Sequence, residues 1–422
     1  MYYKNINSWG NNSSKSIQMS DRLINGENIL MFGNNNSYGD ASIPLGNYGY
    51  YYENNKNNKI LHNDYINSQI ELEEFISKTK LNLAGVPGKN NVTVGGAVAA
   101  DVHGKDCKWA GSFIKNIKSI KLLNYKNQII NCSRNINSEI FYTTVGGYGL
   151  TGPILEVKFT EDLKKRNDFF EMQTKIGKGM EDLISNFSNN KDEYTVGWID
   201  LLSKEFKWVI ETSTPVYKHS KKSFDKLNTS KDIKLSVPFL GNNYLRSMNM
   251  VNNIYYLSKK NKKKKIVKRN KVLYPLGILS NTKNISSSRK IIQVQFSIPL
   301  VFQSELWNLL CLLKYNQKPL LCSIKRLCEN ETNLNFSFIQ NGWTVAVDFP
   351  AKDFDHNSIR IFYKKLIELK GKIYLAKDST INKSEFNEMY SNHLEWRKIV
   401  KSIDPNNIFQ SELSNRLSIK DW

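Results

Sequence analysis

The chain has 422 residues, with 60 Lys or Arg against 39 Asp or Glu and a formal net charge of +21. Its 40% hydrophobic and 12% aromatic content is that of a globular chain long enough for two cored domains, which excludes intrinsic disorder. No apolar run reaches the roughly 18 residues of a membrane span, and the start MYYKNINSWGNNSSKS lacks a signal-peptide core, so a cytoplasmic location is expected.

Residues 1–28 are polar and read as loop-rich, with Trp9-Gly10 as the one hint of an anchor. Ile29–Phe32 is a short apolar run ending at Gly33 and reads as a buried strand. It leads into GNNNSYGD (Gly33–Asp40), where Asn and Gly predict a tight loop with exposed amides. Gly46–Asn58 reads as a polar connection, and Glu71–Lys80 as a helix with Leu72, Phe75 and Ile76 on one face. The chain then concentrates six glycines into Gly85–Phe113, with a Pro87-Gly88 turn, a short β-branched run Val92–Val94 and His103. Glycine at this density marks close backbone approach, and its amides suit the phosphates of a bound cofactor. A glycine-rich turn without a ligand explains the glycines equally well.

Ile117–Asn124 and Gln128–Cys132 predict a hairpin. A second cluster, Gly146, Gly147, Gly149 and Gly152, follows before another strand, and two such clusters suggest one shared ligand. After Leu163 the glycine clusters vanish and a domain boundary is expected. Beyond it, Ile176–Phe187 reads as a helix, Lys207–Glu211 and Ile291–Ile298 as strands, and Asn284–Arg289 as a loop. Alternation places Gln293 and Gln295 on one strand face. From Lys259 to Arg269 eight of eleven residues are basic, which predicts a self-repelling mobile loop. Such a run suits an anionic membrane surface, at about 1 kcal/mol per charge, and a merely solvated loop is the alternative. The tail reads as a strand (Lys372–Ala376), two helices (Lys383–Met389 and Asn392–Ile403) and a break at Asp404-Pro405. Five cysteines without metal-type spacing predict free thiols and no metal site.

Several motifs together resemble the vanillyl-alcohol-oxidase superfamily of FAD-linked (PCMH-type) oxidases. They are SYGD (Ser37–Asp40), Pro87-Gly88, Val92–Ala97, Asp101–Lys105, Ala110–Phe113 and Val145–Gly152. Near the other end, Gly342-Trp343, Val347–Pro350, Tyr374–Ser379, Glu395-Trp396, Asp404-Pro405, Phe409 and Arg416-Leu417 extend the resemblance. Within the superfamily the pattern is most similar to the branch that oxidises polyprenyl-phosphate-linked ribose as half of a 2′-epimerase.

The resemblance implies an α+β protein. A two-part FAD-binding domain (1–163 and 372–422) would carry an inserted α+β substrate, or cap, domain (164–371) built on an antiparallel sheet. It places non-covalent FAD against Gly33, Asn35, Asn36, Ser37, Tyr38, Gly39 and Asp40, with Pro87 and Gly88 at the pyrophosphate. Thr93, Gly95, Gly96, Ala100, Val102, His103 and Gly104 would follow it, then Tyr148, Gly149, Gly152, Ile154 and Tyr374. Lys377, His103 and Tyr38 are the implied catalytic residues. Lys377 would stabilise anionic reduced flavin or, when neutral, accept the hydroxyl proton. Gln293 and Gln295 would bind sugar hydroxyls, Lys325 and Tyr274 the sugar phosphate, and Trp198 would wall the pocket.

The chain departs from the family pattern in places. Asn34-Asn35-Asn36 replaces Gly-x-Gly-Arg, which removes an arginine near the pyrophosphate and leaves no histidine to link FAD covalently. Ala100 and Ala346 stand where relatives carry cysteines, Tyr148 replaces an Asn, and the N-terminal part looks one helix short.

The expected function is oxidation of a sugar hydroxyl on a lipid-linked or phosphorylated substrate in cell-envelope glycan biosynthesis. The protein would sit at the inner membrane face through the Lys259–Arg269 region, with a short-chain-dehydrogenase ketoreductase as partner. Alternatives are a soluble sugar, polyol or aldonolactone oxidase, and a non-catalytic anion- or nucleic-acid-binding protein on this fold. The chain lacks the basic–aromatic interleaving of nucleic-acid grooves, so no nucleic-acid partner is expected.

Overall fold

The computed structural model describes residues 2–11, 13–52, 64–216, 244–259, 262–274, 290–315, 317–328 and 333–422. These form an α+β protein with three sheets. The predicted loop at Asn284–Arg289 lies outside the described residues.

The first sheet has the order β1-β2-β4-β3, from Tyr2–Asn7 (β1), Ser14–Ser20 (β2), Ile29–Met31 (β3) and Tyr48–Tyr50 (β4). The polar N-terminus is therefore a hairpin rather than a loop. Ile6, Ile17 and Met19 supply the few inward side chains that it needs, too few to show as alternation. The second sheet has the order β5-β8-β6-β7, from Ile66–Asn67 (β5), Ile117–Leu123 (β6), Ile129–Ser133 (β7) and Ile154–Phe159 (β8). The predicted β6–β7 hairpin is present, with Ile120 opposite Cys132.

Two helices flank the first glycine-rich stretch. Leu72–Thr79 buries Leu72, Phe75 and Ile76, as its spacing predicts, and ends on Lys80 in left-handed conformation at φ 59°. Val94–Ala99 is a helix that starts within the β-branched run. Thr93 decides this: its hydroxyl accepts from the Gly96 amide at 3.1 Å and caps the first turn.

The third sheet has eight strands. They are Phe169–Lys178 (β9), Tyr194–Asp200 (β10), Lys207–Pro215 (β11), Lys262–Lys268 (β12), Ile291–Pro299 (β13), Leu321–Leu327 (β14), Gly342–Pro350 (β15) and Lys372–Ile373 (β16). Their order is β12-β9-β11-β10-β14-β15-β13-β16, with every neighbouring pair antiparallel.

Three expectations change here. Ile176 belongs to β9, and the helix begins at Met180, after Gly179 at φ 81° breaks the strand. Only Lys372 and Ile373 of the predicted terminal strand pair; the chain then turns, with the Lys377 amide donating to the Tyr374 carbonyl. The basic run is an edge strand rather than a loop. It pairs with β9, and Lys264 meets Glu171 at 2.7 Å.

One face of the large sheet is apolar. Val294, Phe296, Ile298, Trp343, Val345 and Val347 pack there into a core with the helices Leu306–Tyr315 and Ile359–Glu368. The opposite face is polar and lines the site described below.

The ends of the chain meet in space. Arg416 donates to Asp40 Oδ2 at 2.7 Å, to Asp40 Oδ1 at 3.0 Å and to Asp378 Oδ2 at 2.8 Å, in fork geometry. Lys420 and Asp404 form a fully buried pair nearby.

Candidate active site

The register of the large sheet assembles the site. Gln293 lies opposite Asp348, Gln295 opposite Ala346 and Lys325 opposite Thr344, while Ala346 and Trp198 flank Ser323. Side chains alternate along a strand, so these polar groups share the face that Val294, Val345 and Val347 do not use. The Gln293 amide donates to Asp348 Oδ1 at 2.5 Å.

His103 meets this face from a loop fixed by a backbone bridge to Ser112. Its ring packs against Phe338 and Tyr374, with centroids 5.7 and 5.4 Å away. Gln295 Nε2 lies 2.9 Å from His103 Nε2, and Lys325 Nζ lies 2.9 Å from His103 Nδ1. Burial, with Lys325 and Lys377 nearby, pushes the imidazole pKa well below 6.5, so the ring is neutral. A neutral ring that accepts at Nδ1 from Lys325 carries its proton on Nε2. The Gln295 side chain then turns its amide oxygen towards that nitrogen. Both ring nitrogens are thus engaged, and His103 is a positioning group rather than a free base. Lys325 also donates to the Gly104 carbonyl at 3.2 Å. A Cβ on Gly104 would lie 2.4 Å from Asp106 Oδ1, so only glycine fits there.

Lys377 faces the same space from the turn after β16. Its ammonium sits 4.1 Å from the centre of the Tyr38 ring and makes no hydrogen bond among the described residues. Burial lowers its pKa to about 8, opposed by Asp348 and reinforced by Lys325. Burial raises the Asp348 carboxyl to about 6, against the Gln293 hydrogen bond and the Lys377 charge. Tyr38 is kept neutral by burial and by Asp348, within hydrogen-bonding reach of Trp9 and Gln293.

A cleft lies among the glycine clusters. Its walls include Gly33, Ser37, Thr93, Gly95, Gly96, Ala100, Tyr148, Gly149, Gly152 and Ile154, so both glycine clusters line one space. A Cβ on Gly33 would come 2.2 Å from Thr93 Oγ1, the atom that caps the adjacent helix. Ser42 Oγ on the wall and Asn35 Oδ1 in the neighbouring loop are buried without hydrogen-bond partners. Asn35 takes φ 49°, the left-handed backbone expected of it. Close-approach glycines and orphaned buried polar atoms are what an elongated polar cofactor requires, and the residues present fit FAD.

Other expected residues fall at varying distances from this centre. Asn36 accepts from Lys89 Nζ at 2.6 Å and donates to the Asn91 carbonyl at 3.0 Å, beside the exposed Gly88. Gly39 and Asp40 are buried against the C-terminal segment, where a Gly39 Cβ would strike the Asp378 carbonyl. Val102 holds the His103 loop by accepting from the Phe113 amide at 2.9 Å. The Tyr374 hydroxyl donates to the Ala100 carbonyl at 2.8 Å. Trp198 packs on Tyr255, with ring centres 4.9 Å apart. The Tyr274 hydroxyl is committed elsewhere: it donates to Glu73 Oε2 at 2.5 Å, on a carboxylate that Arg269 also holds. Among the described residues no hydrogen bond ties Tyr274 to Lys325.

Sequence reasoning missed Asp348, Thr344 and Phe338 as site residues. Asp348 carried a signal, a lone carboxylate in the strand GWTVAVDFP, in phase with Thr344 and Ala346.

No family model matches the chain. Over 347 residues it is 26% identical to decaprenylphosphoryl-beta-D-ribose oxidase of Mycolicibacterium smegmatis, covering 79% of this chain and 75% of that one. Over 116 residues it is 30% identical to cytokinin dehydrogenase 2 of Arabidopsis thaliana, covering 26% of this chain and 23% of that one. This chain is an FAD-dependent oxidoreductase, similar to oxidases of the vanillyl-alcohol-oxidase type. A 69-residue stretch is also 42% identical to an uncharacterized protein of Streptomyces coelicolor, over 16% of this chain and 18% of that one. For an FAD enzyme the cleft and the cluster acquire separate tasks, the first to hold the cofactor and the second to face its substrate.

Proposed function

We propose that this oxidoreductase oxidises a secondary hydroxyl of a sugar carried on a polyprenyl phosphate, one half of an epimerisation that a separate short-chain ketoreductase completes. In this reading residues 1–163 and 372–422 hold the cofactor and 164–371 present the substrate.

One observation carries the reading. The Lys377 ammonium has no hydrogen-bond partner among the described residues, yet it sits in the polar cluster with a pKa near 8. FAD bound in the cleft supplies the hydride acceptor. Lys377 Nζ then takes the hydroxyl proton. With a pKa of about 8, roughly one molecule in ten has it neutral at pH 7. Gln293, anchored by Asp348, and Gln295, anchored by His103 and Thr344, present oriented amides to the sugar hydroxyls. Lys325 adds an amino group to the same face, held by His103 and Gly104 and with its pKa lowered by burial, a donor suited to a phosphorylated substrate.

The test is the visible spectrum of the purified protein, followed by anaerobic titration with a short-chain polyprenyl-phosphoryl pentose. Flavin colour that acid precipitation releases, and that the lipid-linked sugar bleaches, supports the reading. Bleaching by free sugars alone would replace it with a soluble sugar oxidase. Protein that takes up no FAD would remove the oxidase reading altogether.

A further inference from the structure

The turn of the N-terminal hairpin lies at the active site. Trp9 and Gly10 fall between β1 and β2, far in sequence from the polar cluster, yet their backbone joins two of its supports. The Trp9 amide donates to the Ser37 carbonyl at 2.7 Å, and the Gly10 amide to the Tyr38 carbonyl at 3.1 Å. The Gly10 carbonyl in turn accepts from the Ile291 amide at 2.8 Å, two residues before Gln293 on β13. The C-terminal turn closes the circuit. The Tyr38 amide donates to the Ala376 carbonyl at 3.2 Å, beside Lys377, and the Tyr374 amide donates to the Gln295 carbonyl at 2.8 Å. The result is a ring of backbone that leaves β13 at Ile291, passes through Gly10, Tyr38, Ala376 and Tyr374, and returns to β13 at Gln295. Tyr38, Gln293 and Lys377 are carried on this ring or next to it.

The Trp9 side chain reaches the same place. Its ring meets that of Tyr38 edge-on, with centres 6.3 Å apart and planes at 67°. Lys89 Nζ lies 3.1 Å from the indole centre and donates to Asn36 Oδ1 at 2.6 Å, which holds the half-buried indole against the Ser37–Tyr38 loop. The indole nitrogen is within reach of the Tyr38 hydroxyl, and so is the Gln293 amide, whose nitrogen also donates to Asp348. Burial and then Asp348 keep the phenol neutral, whereas the Trp9 and Gln293 contacts favour its ionised form, the sign of donation to its oxygen. An indole N–H can only donate, and a phenol oxygen has two acceptor positions. With both taken, the hydroxyl hydrogen is left for an oxygen that enters the site, and no acceptor for it occurs among the described residues.

We propose that Trp9 is a positioning residue: with Gln293 it fills the acceptor positions of the Tyr38 oxygen and so fixes that hydroxyl as a one-way hydrogen-bond donor to a substrate oxygen. In the proposed oxidation that oxygen is the one whose proton goes to Lys377, whose ammonium lies 4.1 Å from the Tyr38 ring centre. The phenol hydrogen then stabilises the charge left on it, a step that rests on that reading. The hold of Trp9 on Tyr38 does not depend on it.

The experiment pairs fluorine NMR with anaerobic bleaching of the FAD-loaded full chain. In protein labelled with fluorotryptophan, the resonance absent from Trp9→Phe identifies Trp9. Tyr38→Phe, which removes only the phenol oxygen, should move that resonance in the absence of any substrate, and an unmoved resonance would overturn the proposal. Both variants keep the backbone ring, so flavin absorbance and melting temperature should hold. With a short-chain polyprenyl-phosphoryl pentose, Trp9→Phe should slow bleaching at saturation about tenfold and leave the half-saturating concentration within about twofold. The double variant Trp9→Phe, Tyr38→Phe should bleach no more slowly than Tyr38→Phe alone, since Trp9 acts through that hydroxyl. Losses that multiply would make Trp9 a structural prop and overturn the proposal, as would unchanged bleaching in Trp9→Phe. A wild type that the lipid-linked sugar leaves unbleached would remove the proposed substrate instead, and the fluorine shift would still decide whether Trp9 holds Tyr38.

Discussion

Replacing Lys377 by methionine is expected to make the protein more stable and inactive. Burial lowers the lysine pKa from 10.5 to about 8, with Asp348 opposing and Lys325 adding to the effect. At about 1.36 kcal/mol per pH unit, that interval corresponds to roughly 3 kcal/mol against the charged form in the folded state. The side chain is only half-buried, and Asp348 loses its counter-charge in the variant. About 1–2 kcal/mol is therefore expected as a net gain. A lysine whose folded pKa is depressed opposes folding in full below about pH 8, and the opposition fades as pH climbs towards 10.5. Urea unfolding of the two apoproteins at pH 7 and at pH 9.5 measures this directly. Lys377→Met should be the more stable at pH 7, and its advantage should shrink at pH 9.5. The reconstituted variant should keep FAD and lose anaerobic bleaching. A variant less stable at pH 7, or an advantage indifferent to pH, would refute the reasoning.

Further outcomes follow from other contacts. Arg416→Leu strands the carboxylates of Asp40 and Asp378, and should cost about 3–5 kcal/mol in denaturant titration along with most bound FAD; Arg416→Lys should recover only part, lacking the fork. Gly33→Ala drives a methyl into Thr93 Oγ1, so FAD affinity by fluorescence quenching should fall about tenfold or more, while a loss under twofold would mean the loop yields freely. Gln295→Leu removes a hydrogen bond from His103, and should slow bleaching by about ten- to a hundredfold while FAD content stays constant. In the wild type, the bleaching rate should rise with pH through about 8 if neutral Lys377 accepts the proton, and a flat profile would assign that proton elsewhere.

The parts legible from sequence were those with local causes. The hairpin at β6–β7, the helix Leu72–Thr79 and the face shared by Gln293 and Gln295 follow from periodicity, which needs no knowledge of distant chain. The errors arose where a neighbour overrode local preference. Val92–Val94 is β-branched, yet the Thr93 cap commits the following residues to a helix, glycines included. The lysine run looked self-repelling, but Glu171, 93 positions before Lys264, and the backbone of β9 were waiting in no pattern a local reading detects. Tyr274 was expected at a phosphate, and only the fold shows Glu73 claiming its hydroxyl. Asp348 was overlooked because a single carboxylate in a strand has no meaning until register sets Gln293 across from it.

The fork from Arg416 to Asp40 and Asp378 also constrains the order of assembly. The loop at Gly33–Asp40 is made early in synthesis, but the side chain that pins it is made some 376 residues later. On the ribosome, Asp40 waits without its counter-ion until residue 416 has emerged, although the residues that wall the cleft, from Met31 to Ile154, are made long before. Pinning of the Gly33–Asp40 loop is therefore a late event on a chain already folded elsewhere. In a cell short of flavin the accumulating species should be a nearly complete protein with loose ends at this junction, and proteolysis should begin there.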